Sequence, residues 1–300
     1  TATVKLLKVK KRWARAELVS LETTSQNRVE VECPAARAGE GCCDFSHMRL
    51  TAQRAAKQEV LVGQLDKIAG PSGVLDAVDV SSVSVEALGP SKGWRSRIRL
   101  GTDAQGRAGF RKARSNEVVA ERCEQAMSAL FEGIVGEGAQ RFTPGAEVIV
   151  AVDSLGNRHV VESRKVQRGR RVERISRTIE GSGNTVEVVG DDMFEFPATA
   201  FWQAHCNAAS AYVEQVRAWA IAGQPYQRAT GWDLYGGVGL FVPAMSEALG
   251  GGPVSSVDYS KSAMSHSQSA FESLDVTKVN TRVETGIASL SPAGLVVLDP

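Results

Sequence analysis

The sequence predicts an antiparallel β protein over about the first 190 residues and a parallel α/β sheet over the last 110. Three observations carry this expectation. Apolar and polar residues alternate in short runs up to about residue 165, with glycine and aspartate turns between them. After residue 190, strand-like and helix-like patterns take turns. A glycine-rich turn, Gly236-Gly-Val-Gly239, stands between one such strand and helix.

In chain order, VKLLKVKKRWARAELVSL within residues 1–32 reads as two strands, too few for a domain and expected to end a small β-barrel. Residues 33–50 form a cysteine-bearing loop. Residues 51–68 predict a helix behind a Thr51 N-cap, with Ala55, Val60, Leu61 and Leu65 near one face. Strands follow at 78–88, 94–103, 106–112, 146–154 and 158–164, interrupted by a short helix at 121–135 around Cys123. Residues 199–223 read as one long helix ending at Gly223. Strand 230–235, helix 240–250, strand 254–260, helix 262–274 and strand 294–300 complete an incomplete Rossmann-like domain. The expected domains are 1–32, 33–190 and 191–300.

No apolar run is long enough to cross a bilayer, and the first residues lack the apolar core of a signal peptide, so a cytoplasmic chain with no membrane partner is expected. Net charge is only +1, yet residues 90–115 hold eight Lys/Arg against one acid, and residues 1–30 and 161–180 hold seven against three each. Such clustering points to a polyanion bound on one face.

The turn after Asp233-Leu-Tyr235 lets backbone approach a ligand closely. Asp258 lies 19 residues past Gly239, at the end of the next strand, where a carboxylate can accept from both ribose hydroxyls. A dinucleotide and S-adenosylmethionine both fit. The third glycine of the dinucleotide fingerprint is Val242 here, and Asp233 suits a cationic ligand better than a pyrophosphate, so S-adenosylmethionine is favoured.

Phe201-Trp-Gln203, Asp233-Leu-Tyr-Gly-Gly-Val-Gly-Leu-Phe241, Val257-Asp258 and Leu298-Asp299-Pro300 occur in that order. The set resembles the RNA uracil-C5 methyltransferases, and the Cys33 loop, Gly109-Phe-Arg-Lys112 and Cys123 resemble that family's iron–sulfur branch. The resemblance implies a methyltransferase domain behind an antiparallel β-rich centre and the end of a TRAM-type or OB-like barrel. It implies an S-adenosylmethionine pocket lined by Gln203, Tyr235, Gly237, Asp258 and Asp299. It departs at Leu240, where asparagine is frequent, and at Asp258, where glutamate is commoner.

The resemblance also implies a [4Fe–4S] cluster on Cys33, Cys42, Cys43 and Cys123, although Glu40 stands where a cysteine is expected. Four thiolates suit a cluster or a structural zinc, and a degenerate, empty site is the further alternative. His47 reads as a structural polar residue and Cys206 as a small core residue on a helix. The implied chemistry is covalent. A cysteine thiolate adds to uracil C6, C5 takes the methyl group, and a glutamate removes the C5 proton. Both groups are expected beyond Pro300, so no catalytic residue is assigned. The partner is expected to be rRNA or tRNA, bound by a monomer. Two competing readings are a catalytically inactive iron–sulfur RNA-binding protein and a nicotinamide-dependent oxidoreductase.

Overall fold

The computed structural model describes residues 1–69, 71, 73, 80–169, 171–260 and 269–299. It divides into two compact units, one of Thr1–Arg37 with Cys42–Ala87 and one of Ala38–Gly41 with Leu88–Pro300. Among the described residues no helix is long and apolar enough to cross a membrane.

In the first unit, β1 (Ala2–Val9) and β2 (Ala14–Leu21) pair antiparallel, as the alternation predicts. Every residue of both strands is exposed, including Leu6, Val9 and Val19. A four-residue helix, α1 (Pro34–Arg37), leads into the cysteine segment. The long helix α2 (Leu50–Ala69) starts one residue before the expected cap, so Thr51 lies inside it. Its expected apolar face is not buried, since Val60 and Leu61 are 60% and 42% exposed and only Leu65 is half-buried. The strand expected at 78–88 falls partly on residues 74–79, outside those described, and the described part holds one turn of 3₁₀ helix at Val80–Ser82.

The second unit contains two sheets and a hairpin. β3 (Arg97–Thr102), β4 (Ala108–Arg111), β5 (Val118–Val119), β6 (Glu147–Val152), β7 (Arg158–Arg168) and β8 (Arg171–Glu180) form an antiparallel sheet in the order β5-β4-β3-β6-β7-β8. β6, Glu-Val-Ile-Val-Ala-Val, sits near its middle, and a strand covered on both faces is expected to be this continuously apolar. The helix expected at 121–135 is not formed. Gly133 takes positive φ there, and only Ser128–Leu130 makes a 3₁₀ turn. Cys123, in this stretch, is 3% exposed.

A buried polar knot closes the β6–β7 turn. Asp153 Oδ1 accepts from the amides of Leu155 (3.1 Å) and Asn157 (2.8 Å), and Oδ2 from Val186 N–H (3.2 Å) and His159 Nε2 (3.1 Å). Burial pushes the Asp153 carboxyl up, but the hydrogen bonds from His159, Asn157 and Val186 outweigh it and hold the group below the usual carboxylate range. That stability is present above the ordinary carboxylate pKa and is lost as pH falls through the depressed one. Asp153→Ala strands several buried donors and is expected to cost about 2–4 kcal/mol. Thermal denaturation at neutral pH reads the loss, and an unchanged midpoint would contradict this account.

β9 (Asn184–Val189) and β10 (Asp192–Pro197) form a hairpin that the sequence reading passed over. Its two-residue loop opens with Gly190 at φ 61°, a conformation glycine adopts without cost. Phe194 and Phe196 point inward, with ring centroids 5.8 and 5.1 Å from that of Trp202.

The last sheet is parallel. β11 (Thr230–Leu234), β12 (Val254–Val257), β13 (Val276–Val279) and β14 (Ala293–Leu298) lie in the order β13-β12-β11-β14. β13 was not anticipated, and the helix expected at 262–274 falls largely on residues 261–268, outside those described. α3 (Ala208–Ala222) and α4 (Val242–Ala248) pack on this sheet through a core that includes Val213, Val242, Met245 and Val254. α3 begins nine residues later than expected, so residues 199–207 form a strap rather than a helical turn. Cys206 is therefore off the helix and exposed, not a core residue.

Candidate cofactor-binding site

Strand order places the site. β12 lies on one side of β11 and β14 on the other, so chain direction across the sheet reverses between β11 and β14. In open parallel sheets, ligands bind in the crevice beyond the carboxyl ends of the strands at such a point. β11 ends at Leu234 and runs into the glycine turn, β14 ends at Leu298 and runs into Asp299, and Asp299 N–H donates to Leu234 O at 3.3 Å. A cavity of about 590 Å³ opens at this point. Gln203, Tyr235, Gly237, Asp258 and Asp299, the five residues singled out in the sequence, all line it.

The turn is held by carboxylates. Asp258 Oδ2 accepts from Gly237 N–H at 3.0 Å, and Oδ1 accepts from Ser260 N–H at 2.5 Å. Asn280 Nδ2 donates to Asp258 O at 2.9 Å, tying the end of β12 to the residue after β13. Ser260 also lines the cavity and was missed, although an aspartate two residues earlier is the ordinary signature of such a side-chain-to-backbone turn.

Asp233 lies beneath the turn rather than on the cavity wall. It is 1% exposed and accepts from Ser256 Oγ at 2.8 Å. Burial, opposed by Ser256 and reinforced by the charges of Asp258 and Asp299, pushes its carboxyl up to about 6. The unfolded chain releases this proton near 3.8 and the folded chain near 6, so stability falls by roughly 3 kcal/mol as pH rises through that window. A Cβ on Gly236 would collide with Asp233 Oδ2 and Ser256 Oγ, so the turn rests directly on this pair. Gly236→Ala is expected to weaken cofactor-analogue binding at least about tenfold by lifting the turn. Calorimetric titration with S-adenosylhomocysteine reads it, and wild-type affinity would show that the turn tolerates the methyl group.

Tyr235 takes φ 60°, a left-handed conformation that costs a non-glycine residue energy. Its hydroxyl lies 3.3 Å from Glu284 Oε1 in the short helix α5 (Val283–Gly286). Burial first, then the Glu284 charge, raises the Tyr235 hydroxyl above its ordinary value, so it stays protonated and donates to that carboxylate. Gly237 and Gly239 also have positive φ, and a side chain on Gly239 would meet the Phe271 ring. α4 starts only at Val242, three residues past Gly239, and Leu240 is a buried member of the core that also lines the cavity.

The strap forms the opposite wall. Phe201, Trp202 and Gln203 line the cavity while the strap's backbone is laced to the segment before β3. Ser96 N–H donates to Ala204 O (2.8 Å) and Cys206 N–H to Trp94 O (2.9 Å). Trp94 stacks on His205 with centroids 4.9 Å apart. Arg97, read from sequence as part of a basic surface, is buried. It pairs with Glu187 at 3.0 Å, packs 5.6 Å from the Phe196 ring centroid and donates to Ala200 O at 3.4 Å.

Of the cysteines, Cys33, Cys42 and Cys43 lie in the first unit, with the sulfurs of Cys42 and Cys43 3.8 Å apart, and Cys123 lies in the second.

The chain is 45% identical over 303 residues to a protein named as an uncharacterized RNA methyltransferase in Corynebacterium glutamicum, spanning 99% of this chain and 72% of that one. The 23S rRNA (uracil(1939)-C(5))-methyltransferase RlmD of Shewanella frigidimarina is 34% identical over 140 residues, 44% of this chain and 30% of that one. The chain belongs to the RNA uracil-C5 methyltransferase family. The tRNA (uracil-54, C5)-methyltransferase of Pyrococcus abyssi, solved with S-adenosyl-L-homocysteine, shares the family fold, with a TM-score of 0.64 at 18% identity over 99% of this chain and 75% of that one. No family model matches the chain.

Proposed function

We propose that this chain binds S-adenosylmethionine in the switch-point cavity and serves methyl transfer to C5 of a uridine in RNA, with rRNA as the first substrate to test and tRNA the second. The carrying observation is the convergence of Gln203, Tyr235, Gly237, Asp258 and Asp299, drawn from separate elements, on one cavity. When bound, S-adenosylmethionine supplies an electrophilic methyl group. Asp258 would hold the ribose hydroxyls with the lone pairs that Gly237 and Ser260 leave open. Tyr235 would pack beside the cofactor, and Gln203 and Asp299 would face the end where cofactor and target base meet. The uridine would be extruded from its helix to reach that end. Adding a cysteine thiolate to C6 makes C5 nucleophilic enough to take the methyl group, and loss of the C5 proton then releases the thiolate. Among the described residues no cysteine lines the cavity, and no catalytic cysteine is assigned.

Titration calorimetry tests the cofactor reading. Saturable S-adenosylhomocysteine binding with no NADH signal is expected, whereas tight NADH binding with no S-adenosylhomocysteine signal would overturn it.

The iron–sulfur reading is a separate proposal resting on donor chemistry. Cys33, Cys42 and Cys43 place three thiolates in one short segment, and Cys123 is the fourth candidate, the donor type that holds a [4Fe–4S] cluster or a structural zinc. Chain purified without oxygen is expected to carry iron and acid-labile sulfide. Zinc without sulfide, or no metal at all, would remove the cluster.

A further inference from the structure

The β7–β8 ribbon outruns the sheet that carries it. β6 pairs with β7 only as far as Glu147 opposite Ser163, whereas β7 continues to Arg168 against β8 alone. The cross-strand pairs from Arg164↔Ile175 to Arg168↔Arg171 therefore stand clear of β6, as about 16 Å of two-stranded ribbon. Its described residues are exposed apart from the half-buried Val166 and Ile175.

Positions 164–174 hold six Lys/Arg and one acid, in a chain whose net charge is +1. Register distributes the cations over both faces. Lys165 and Arg174 lie opposite each other on one, and Arg168 and Arg171 on the other, which Arg164 shares. Like charges directly opposite across strands destabilise a sheet. The acids at hand offset this only in part: Glu173 pairs with Arg168 at 3.4 Å and Glu147 with Arg174 at 2.6 Å. A ribbon that keeps such pairs is suited to an external polyanion. No aromatic residue lies between 164 and 175, so there is no platform on which unpaired bases could stack. Cations on both faces of a thin ribbon fit phosphate rows on both sides, which is the geometry of a helical groove.

Building on the RNA reading above, we propose that the β7–β8 ribbon docks in a groove of a double-helical stem of the substrate RNA and contacts the phosphates of both strands. The test measures anisotropy of the whole chain with a labelled RNA hairpin and with a single strand of equal length. In the Lys165→Ala/Arg168→Ala/Arg171→Ala variant, hairpin affinity is expected to fall about tenfold or more, and the log–log salt slope to shrink by about 2–3. Single-strand affinity should change less than about twofold, because the ribbon offers unpaired bases no stacking surface. S-adenosylhomocysteine affinity should be unchanged, which reports an intact fold. Arg168→Lys/Arg171→Lys should bind the hairpin nearly as wild type, since phosphate contacts need charge more than a fork. Equal loss on both RNAs, or no loss on the hairpin, overturns the proposal and leaves the RNA reading standing. Wild-type chain that binds S-adenosylhomocysteine but neither RNA removes both.

Discussion

Replacing Asp258 by alanine is expected to weaken S-adenosylhomocysteine binding about a hundredfold. Two losses combine. The ribose hydroxyls lose a charged acceptor, worth about 1.5 kcal/mol for each hydrogen bond, which together is roughly a hundredfold in affinity. The amides of Gly237 and Ser260 lose the carboxylate that orients the turn. Asp258→Asn keeps one acceptor oxygen and is expected to lose only about tenfold. Asp258→Glu keeps the charge and lengthens the reach by one methylene, so it should stay within a few-fold of wild type. Calorimetry on the three variants gives the ranking, with thermal denaturation confirming that each folds. An alanine variant binding within about threefold of wild type would mean that the ribose sits elsewhere.

The parts of this site that were legible in the sequence are those fixed by local rules. Gly236-Gly-Val-Gly239 after an apolar run announces a strand-to-helix turn, and Asp258 announces itself by its spacing from that turn. Asp299 follows directly from the end of β14. What stayed hidden depends on contacts distant in sequence. Ser256 meets Asp233 only because β12 pairs beside β11, and Glu284 meets Tyr235 from 49 residues away. Arg97 sits in a run of cations and has no local mark of burial, because its partner Glu187 is 90 residues on. Local patterns also misled. The alternation in Val186–Phe196 and the Gly190-Asp191 loop spell a hairpin, yet the helix-rich stretch that follows drew the domain start to about 191. Residues 199–207 read as helix because they are apolar and lack proline, but Ala204 O and Cys206 N–H pair instead with Ser96 and Trp94.

Arg97→Met is expected to destabilise the second unit by about 3–5 kcal/mol, because it leaves Glu187 buried without its guanidinium partner. At about 2–4 °C per kcal/mol for a chain of this size, the melting midpoint should drop on the order of 10 °C. Even with the pair intact, burial lowers the Arg97 pKa and raises that of Glu187, so desolvation outweighs their mutual attraction for both groups. A double variant, Arg97→Met with Glu187→Gln, should therefore recover much of the loss, since Gln can still accept from Ser154 Oγ. The pH dependence separates this from simple loss of packing. Glu187 titrates above the ordinary carboxylate value in the folded chain, and higher still without Arg97. Below the ordinary value it is protonated in folded and unfolded chains alike and costs nothing. Above it, the cost grows as pH rises. The gap between wild type and Arg97→Met should thus be small in acid and widen towards neutrality. The same change removes the donor to Ala200 O, immediately before Phe201 and Gln203, so S-adenosylhomocysteine affinity should fall several-fold through the strap alone. A stability gap that does not vary with pH would assign Arg97 a packing role only.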